Sequence, residues 1–135
     1  MNSSIPLEVV SFVAPEDKSS DSRHPLRCKF VLLSHHASLV LILGPITRYA
    51  YHADLLAAYC DSHQILTMWD RHPDTLRIKD PEIAILGGGH LAWNLPARQA
   101  RFGGSSKAYG PIDLDSLPEL LSGAELFAGH QITVE

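Results

Sequence analysis

His52 is the residue of this chain best placed to move a proton. It falls near the N-terminal end of an expected helix, on the stripe that should face the rest of the protein. The positive end of the helix dipole disfavours imidazolium, so the ring is expected to be neutral near pH 7, as a general base requires. The plain alternative is a core histidine hydrogen-bonded for structure alone. A second place is Gly103-Gly104-Ser105-Ser106-Lys107. Small residues expose consecutive backbone N–H groups that can cradle an anion, and the hydroxyls and the lysine add donors. The same composition also makes ordinary loops.

Other chemistry-bearing residues read as structural. Cys60 sits at the C-terminal end of the same helix and on its apolar stripe, where burial and the dipole both disfavour a thiolate. No Cys-x5-Arg loop surrounds it. The eight histidines include no His-Glu-x-x-His, and no Cys-x-x-Cys accompanies them, so no metal is expected. His35 and His36 are neighbours, and on a strand they would point to opposite faces. Gly87-Gly88-Gly89-His90-Leu91-Ala92 fits Gly-x-Gly-x-x-Ala, but Pro96 follows too soon for the helix that a dinucleotide site needs. A glycine-rich strand or bulge approached closely by another backbone is the better reading.

The elements that must position these residues follow from the pattern. Residues 6–13 are β-branched and read as a first strand. Residues 15–24 are polar and read as an exposed loop. Residues 27–34 and 38–43 form an antiparallel pair around His35-His36-Ala37, stopped by Gly44-Pro45. Thr47 is the expected N-cap of a helix over 48–62, with His52, Leu55, Leu56, Tyr59 and Cys60 on one face. Residues 65–69 and 75–79 suggest a hairpin. Residues 82–86 form a strand that continues through 91–93 past a glycine bulge. Residues 100–104 form a short strand. Ser116 and Glu119 make a capping box for a helix ending at Gly123, with Leu117, Leu120 and Leu121 inward. Residues 125–134 close the chain as a strand. The expectation is an α/β (α+β) fold: one mixed, largely antiparallel sheet of about six strands with two helices packed on it.

Composition bounds the function. A chain of 135 residues with 45% hydrophobic and 19% charged residues suits one globular domain spanning 1–135. The net charge of −4 and the scattered basic residues argue against a nucleic-acid partner. No apolar run approaches a membrane span, and the start lacks the pattern of a signal peptide. Two cysteines give no disulfide framework, so a cytoplasmic, monomeric protein without cofactor is expected.

Three segments resemble the janus/14-kDa phosphohistidine phosphatase family. Lys29-Phe30-Val31-Leu32 is similar to the family's Lys-aromatic-Val-Leu strand. Tyr51-His52-Ala53-Asp54 is identical to its Tyr-His-Ala-Asp at a helix start. Leu86-Gly87-Gly88-Gly89 and Ala108-Tyr109-Gly110-Pro111 match its Leu-Gly-Gly-Gly and Ala-Tyr-Gly-Pro, and the interval aligns without a gap. The resemblance covers most of residues 26–134. It implies metal-independent hydrolysis of phosphohistidine in proteins or peptides, with His52 activating water. It also implies that Lys29, the loop Gly104, Ser105 and Ser106, and the backbone of Ala108 hold phosphate.

Two departures matter. The family has an arginine directly after Gly-Gly-Gly, where this chain has His90, a stand-in that binds an anion only when protonated. A second family arginine falls at Gly44 or Leu43, and Arg48 is the nearest cation. These departures leave open a non-catalytic member that binds a phosphorylated or acidic partner, or one using His52 on a substrate without phosphate.

Overall fold

A computed structural model describes residues 7–14, 25–69, 76–106, 109–110, 112, 115, 117–121 and 124–135. The expected loop 15–24, the turn between the two hairpin runs, Ser116 and Gly123 lie outside the described residues.

The backbone of the fold is a hairpin whose strands alternate cleanly. Strand β2 (Leu26–His35) pairs antiparallel with β3 (Ser38–Pro45), as the two runs of the sequence imply. Strand β1 (Leu7–Ser11) lies parallel to β3 at one edge. On the other side of β2 comes β6 (Ile83–Asn94), then β7 (Gln99–Gly103) and β8 (Gln131–Val134). The six-stranded order is β1-β3-β2-β6-β7-β8, with parallel pairs at the two edges and antiparallel pairs between. The mixed α+β architecture with two helices is the expected one.

Two apolar layers sandwich this sheet. Because successive side chains alternate across a strand, Cys28, Phe30 and Leu32 of β2 point to one face, and Val31 and Leu33 to the other. The first face packs Trp93, Phe102, Leu117 and Phe127, with Phe30 edge-on to Phe102 at 5.4 Å. The second takes helix α1 (His52–Ser62) through Leu55, Leu56, Tyr59 and Cys60, the stripe read from the sequence. Helix α2 (Leu117–Leu121) seals the first layer with Leu117 and Leu121, while Leu120 is only half-buried. Cys28 and Cys60 form no disulfide, are buried, and sit in opposite layers.

Three local expectations are corrected. The helix starts at His52, four residues later than the Thr47 cap implied, because the Pro45 carbonyl accepts from both Arg48 and Tyr49 N–H and closes a turn there. Strand β3 runs on through Gly44 and Pro45, which pair with Lys29 and Cys28. The hairpin forms as expected, from β4 (Thr67–Trp69) and β5 (Leu76–Ile78), and stands as a separate two-stranded sheet. Residues 125–134 are not one strand: a 3-10 turn at Glu125–Phe127 buries Phe127 before β8 begins.

The glycines of β6 are the tightest point. Between Leu32 and Leu33 the register slips so that Leu86 has no opposite number, a bulge of the expected kind. A Cβ on Gly89 would stand 2.5 Å from the Gly103 carbonyl oxygen and 2.8 Å from the Phe30 ring. Gly89→Ala is therefore expected to force the strands apart and lower stability by about 1–3 kcal/mol. Urea unfolding measures this; a midpoint unchanged from the parent chain would contradict the packing.

Candidate active site

His52 opens α1 without help from a conventional cap. Tyr51 is extended (φ −124°, ψ 152°), and the Asp54 carboxylate accepts its N–H at 3.0 Å, the returning half of a capping box. This fixes the first turn against the sheet. His52 is only 8% exposed, and its Nε2 lies 2.9 Å from the Gly89 carbonyl oxygen. A carbonyl only accepts, so Nε2 donates, and in the neutral ring Nδ1 keeps the lone pair. Among the described residues Nδ1 has no hydrogen-bond partner.

The ring reaches the strand because Gly88 has no side chain. A Cβ there would stand 3.0 Å from His52 Cδ2 and 2.6 Å from the Phe30 carbonyl oxygen. The glycine run is thus the bulged strand approached closely by another backbone that the sequence implies, and it also serves as a floor for the imidazole.

Register places the next residues. Gly44, Lys29, His90 and Gly103 stand opposite one another on four adjacent strands, so they share the α1 face. The His52 and His90 rings meet edge to face at 5.5 Å. Gly104, at φ +72°, turns the chain in a conformation that L side chains rarely adopt, and its missing Cβ would touch His90 Nδ1 at 2.8 Å. Ser106 is 3% exposed and exchanges two backbone bonds with Gly110, whose carbonyl also accepts from Gly88 N–H. Its Oγ accepts from Tyr109 N–H at 3.1 Å. The structure therefore gathers His52, Lys29, His90, Gly104 and Ser106, with exposed Ser105 between the last two. Lys107 and Ala108 lie outside the described residues.

Burial, partly opposed by the hydrogen bond to Gly89, holds the His52 imidazole below its ordinary value of 6.5; Lys29 and His90 push the same way as burial. His90 is lowered too, first by burial and then by Lys29. The helix dipole expected to keep His52 neutral is not needed for this, since desolvation leads. Cys60 is pushed up to about 11 by burial and by Asp61, which suits its reading as an inert thiol.

The one cation expected near the second arginine position, Arg48, is turned toward β1. The Arg48 guanidinium donates to the Phe12 carbonyl at 2.8 Å. The space at Gly44 is filled by the Tyr49 ring, 2.8 Å from where a Cβ would be.

Two features escaped the sequence. The Tyr109 hydroxyl accepts from Leu76 N–H at 2.8 Å and donates to the Leu76 carbonyl at 3.1 Å, clipping β5 to the site loop. His35 and His36 do not diverge: at φ 58° His36 leaves the strand, and the two rings stack at 4.6 Å. With Asp80 they bring three potential ligand atoms within 4.8 Å of one another. A closed tetrahedral zinc site has edges of about 3.3 Å, and His35 Nδ1 is already 2.9 Å from the Tyr59 hydroxyl.

Comparison with protein-family models and with curated proteins finds no match for the chain. No helix among the described residues is long and apolar enough to cross a membrane.

The lowered values carry a sign. Between the folded midpoints and 6.5 the unfolded chain binds more protons than the native one, so stability is expected to fall as pH drops through that interval. An NMR titration should place the His52 and His90 midpoints below 6.5. Midpoints at or above it would contradict the burial described.

Proposed function

We propose that this chain is a phosphohistidine phosphatase-type hydrolase, acting on phosphohistidine in a protein or peptide. The observation that carries the reading is the His52 Nε2–Gly89 bond, which leaves Nδ1 as the basic nitrogen beside a row containing Lys29 and His90. The likeness of Tyr51-His52-Ala53-Asp54, Leu86-Gly87-Gly88-Gly89 and Ala108-Tyr109-Gly110-Pro111 to the family's motifs supports it further.

In this mechanism Nδ1 takes a proton from water as the water oxygen attacks phosphorus. The P–N bond breaks, its electron pair returns to the substrate imidazole, and the leaving nitrogen takes the proton that Nδ1 has just received, which restores neutral His52. Lys29 and protonated His90 offset the charge of the phosphoryl oxygens. The loop from Gly104 to Ser106 supplies donors where charge develops, which favours the transition state over the ground state, and the family resemblance implies a further donor in the Ala108 N–H. Ser106 Oγ accepts from Tyr109 N–H and still has its own proton to donate. No step is routed through a metal.

A second reading has its own support. The positions of two family arginines are held by His90 and by Gly44 beneath Tyr49, which weakens charge-assisted binding by about 1.5–3 kcal/mol for each arginine missing. A non-catalytic protein that binds a phosphorylated or acidic partner in the same place fits that loss.

Hydrolysis of a phosphohistidine peptide by the purified chain separates the two. His52→Ala should lower turnover by about 10²–10⁴-fold while circular dichroism stays unchanged. Full turnover in the folded variant would remove His52 from the mechanism. Activity is also expected to withstand a chelator; loss restored by one metal would overturn the metal-free route.

The pH profile tests His90. His52 must be neutral and His90 charged, so the parent chain should be most active on the acidic side of 6.5. His90→Arg should abolish the alkaline limb and keep the acidic one. Superimposable profiles would mean that His90 does not meet the anion.

A further inference from the structure

Helix α1 ends its cover of the sheet at His52, and among the described residues no helix covers the same face beyond it. One step along the strands from the Lys29–His90 row, Arg27 of β2 and Arg101 of β7 stand on either side of Ala92, with Thr133 next in line on β8. Arg27, Arg101, His90 and Gly104 line one shallow cavity of about 410 Å³. A second cavity, of about 290 Å³, extends it over Asn94, Gln99 and Gln131. The two arginines are exposed, and the opposite faces of the same strands carry the core residues Leu91, Trp93 and Phe102.

A carboxylate already lies on this face. The Glu135 side chain folds back over Gly103, its Oε2 3.1 Å from where a Cβ would be, and its Oε1 is 3.4 Å from Arg101 Nη1. Among the described residues the Arg27 side chain has no such partner.

We propose that this face is the docking groove for the segment of substrate protein around the phosphohistidine, and that it selects an acidic residue two positions away. The proposal rests on the phosphatase reading for its substrate class. Residues two apart on one strand face are separated by about 6.6 Å. An extended peptide has the same period, so with its phosphohistidine over the Lys29–His90 row it presents residue ±2 to the Arg27–Arg101 row. Residue ±1 points away. The Glu135 carboxylate occupies the Arg101 end until the peptide displaces it.

The test compares nine-residue phosphohistidine peptides carrying Asp or Asn at both ±2 positions, with Asp at ±1 as a control. In the parent chain, kcat/KM should be about tenfold higher for Asp than Asn at ±2, with no such gain at ±1, and added salt should shrink the ratio. The ratio should fall to about one in Arg27→Gln/Arg101→Gln and rise in Glu135→Gln. Equal values for the ±2 peptides in the parent chain, or an equal gain at ±1, would overturn the groove. If neither peptide is hydrolysed, the phosphatase reading fails alone. Amide shifts with the unphosphorylated ±2 Asp peptide then decide: movement at residues 27, 92, 101 and 133 upholds docking, and silence there rejects it.

Discussion

Strand β6 can receive the imidazole of His52 only where it has no side chains of its own. Gly88 supplies that gap, and the hydrogen bond from Nε2 to the Gly89 carbonyl holds the ring in it. Much else depends on this contact. It sets how closely α1 approaches the sheet, decides which nitrogen is basic, and brings the ring within 5.5 Å of His90. On the other face, the missing side chain of Gly89 lets the Gly103 carbonyl and the Phe30 ring close in. Backbone approach and proton chemistry are thus two results of one composition.

Desolvation gives this contact its chemical direction. Burial disfavours the charged imidazolium more than the bond to Gly89 favours it, so the ring stays neutral further into the acid range than a free histidine. Lys29 reinforces the effect at both His52 and His90. A cation that would hold an anion also keeps the neighbouring base uncharged, so binding and proton transfer are tuned by the same residue.

How much the sequence revealed depended on the range of the interaction involved. The β2–β3 hairpin and the α1 stripe are written in local periodicity, and both appear at the expected residues. His52 stood out for the same reason, since its place on the stripe is a local fact. The helix start did not, because a turn closed on the Pro45 carbonyl competes with Thr47 capping, and a local rule cannot rank the two. Phe127 looked like strand because it is apolar, but it is buried by a 3-10 turn. The stacking of His35 on His36 depends on one positive φ, which pattern does not encode. The link from Tyr109 to Leu76 joins residues 33 apart in the chain and was beyond any motif.

The two thiols give the sheet a sensor on each side. Cys28 is 1% exposed in the layer sealed by α2, and Cys60 is fully buried in the layer sealed by α1. Each becomes reactive only when its own layer opens, because a thiol reagent needs access and a thiolate. Their separate labelling rates therefore follow the two halves of the core independently, and show whether loosening the helix that carries His52 also loosens the layer behind the sheet.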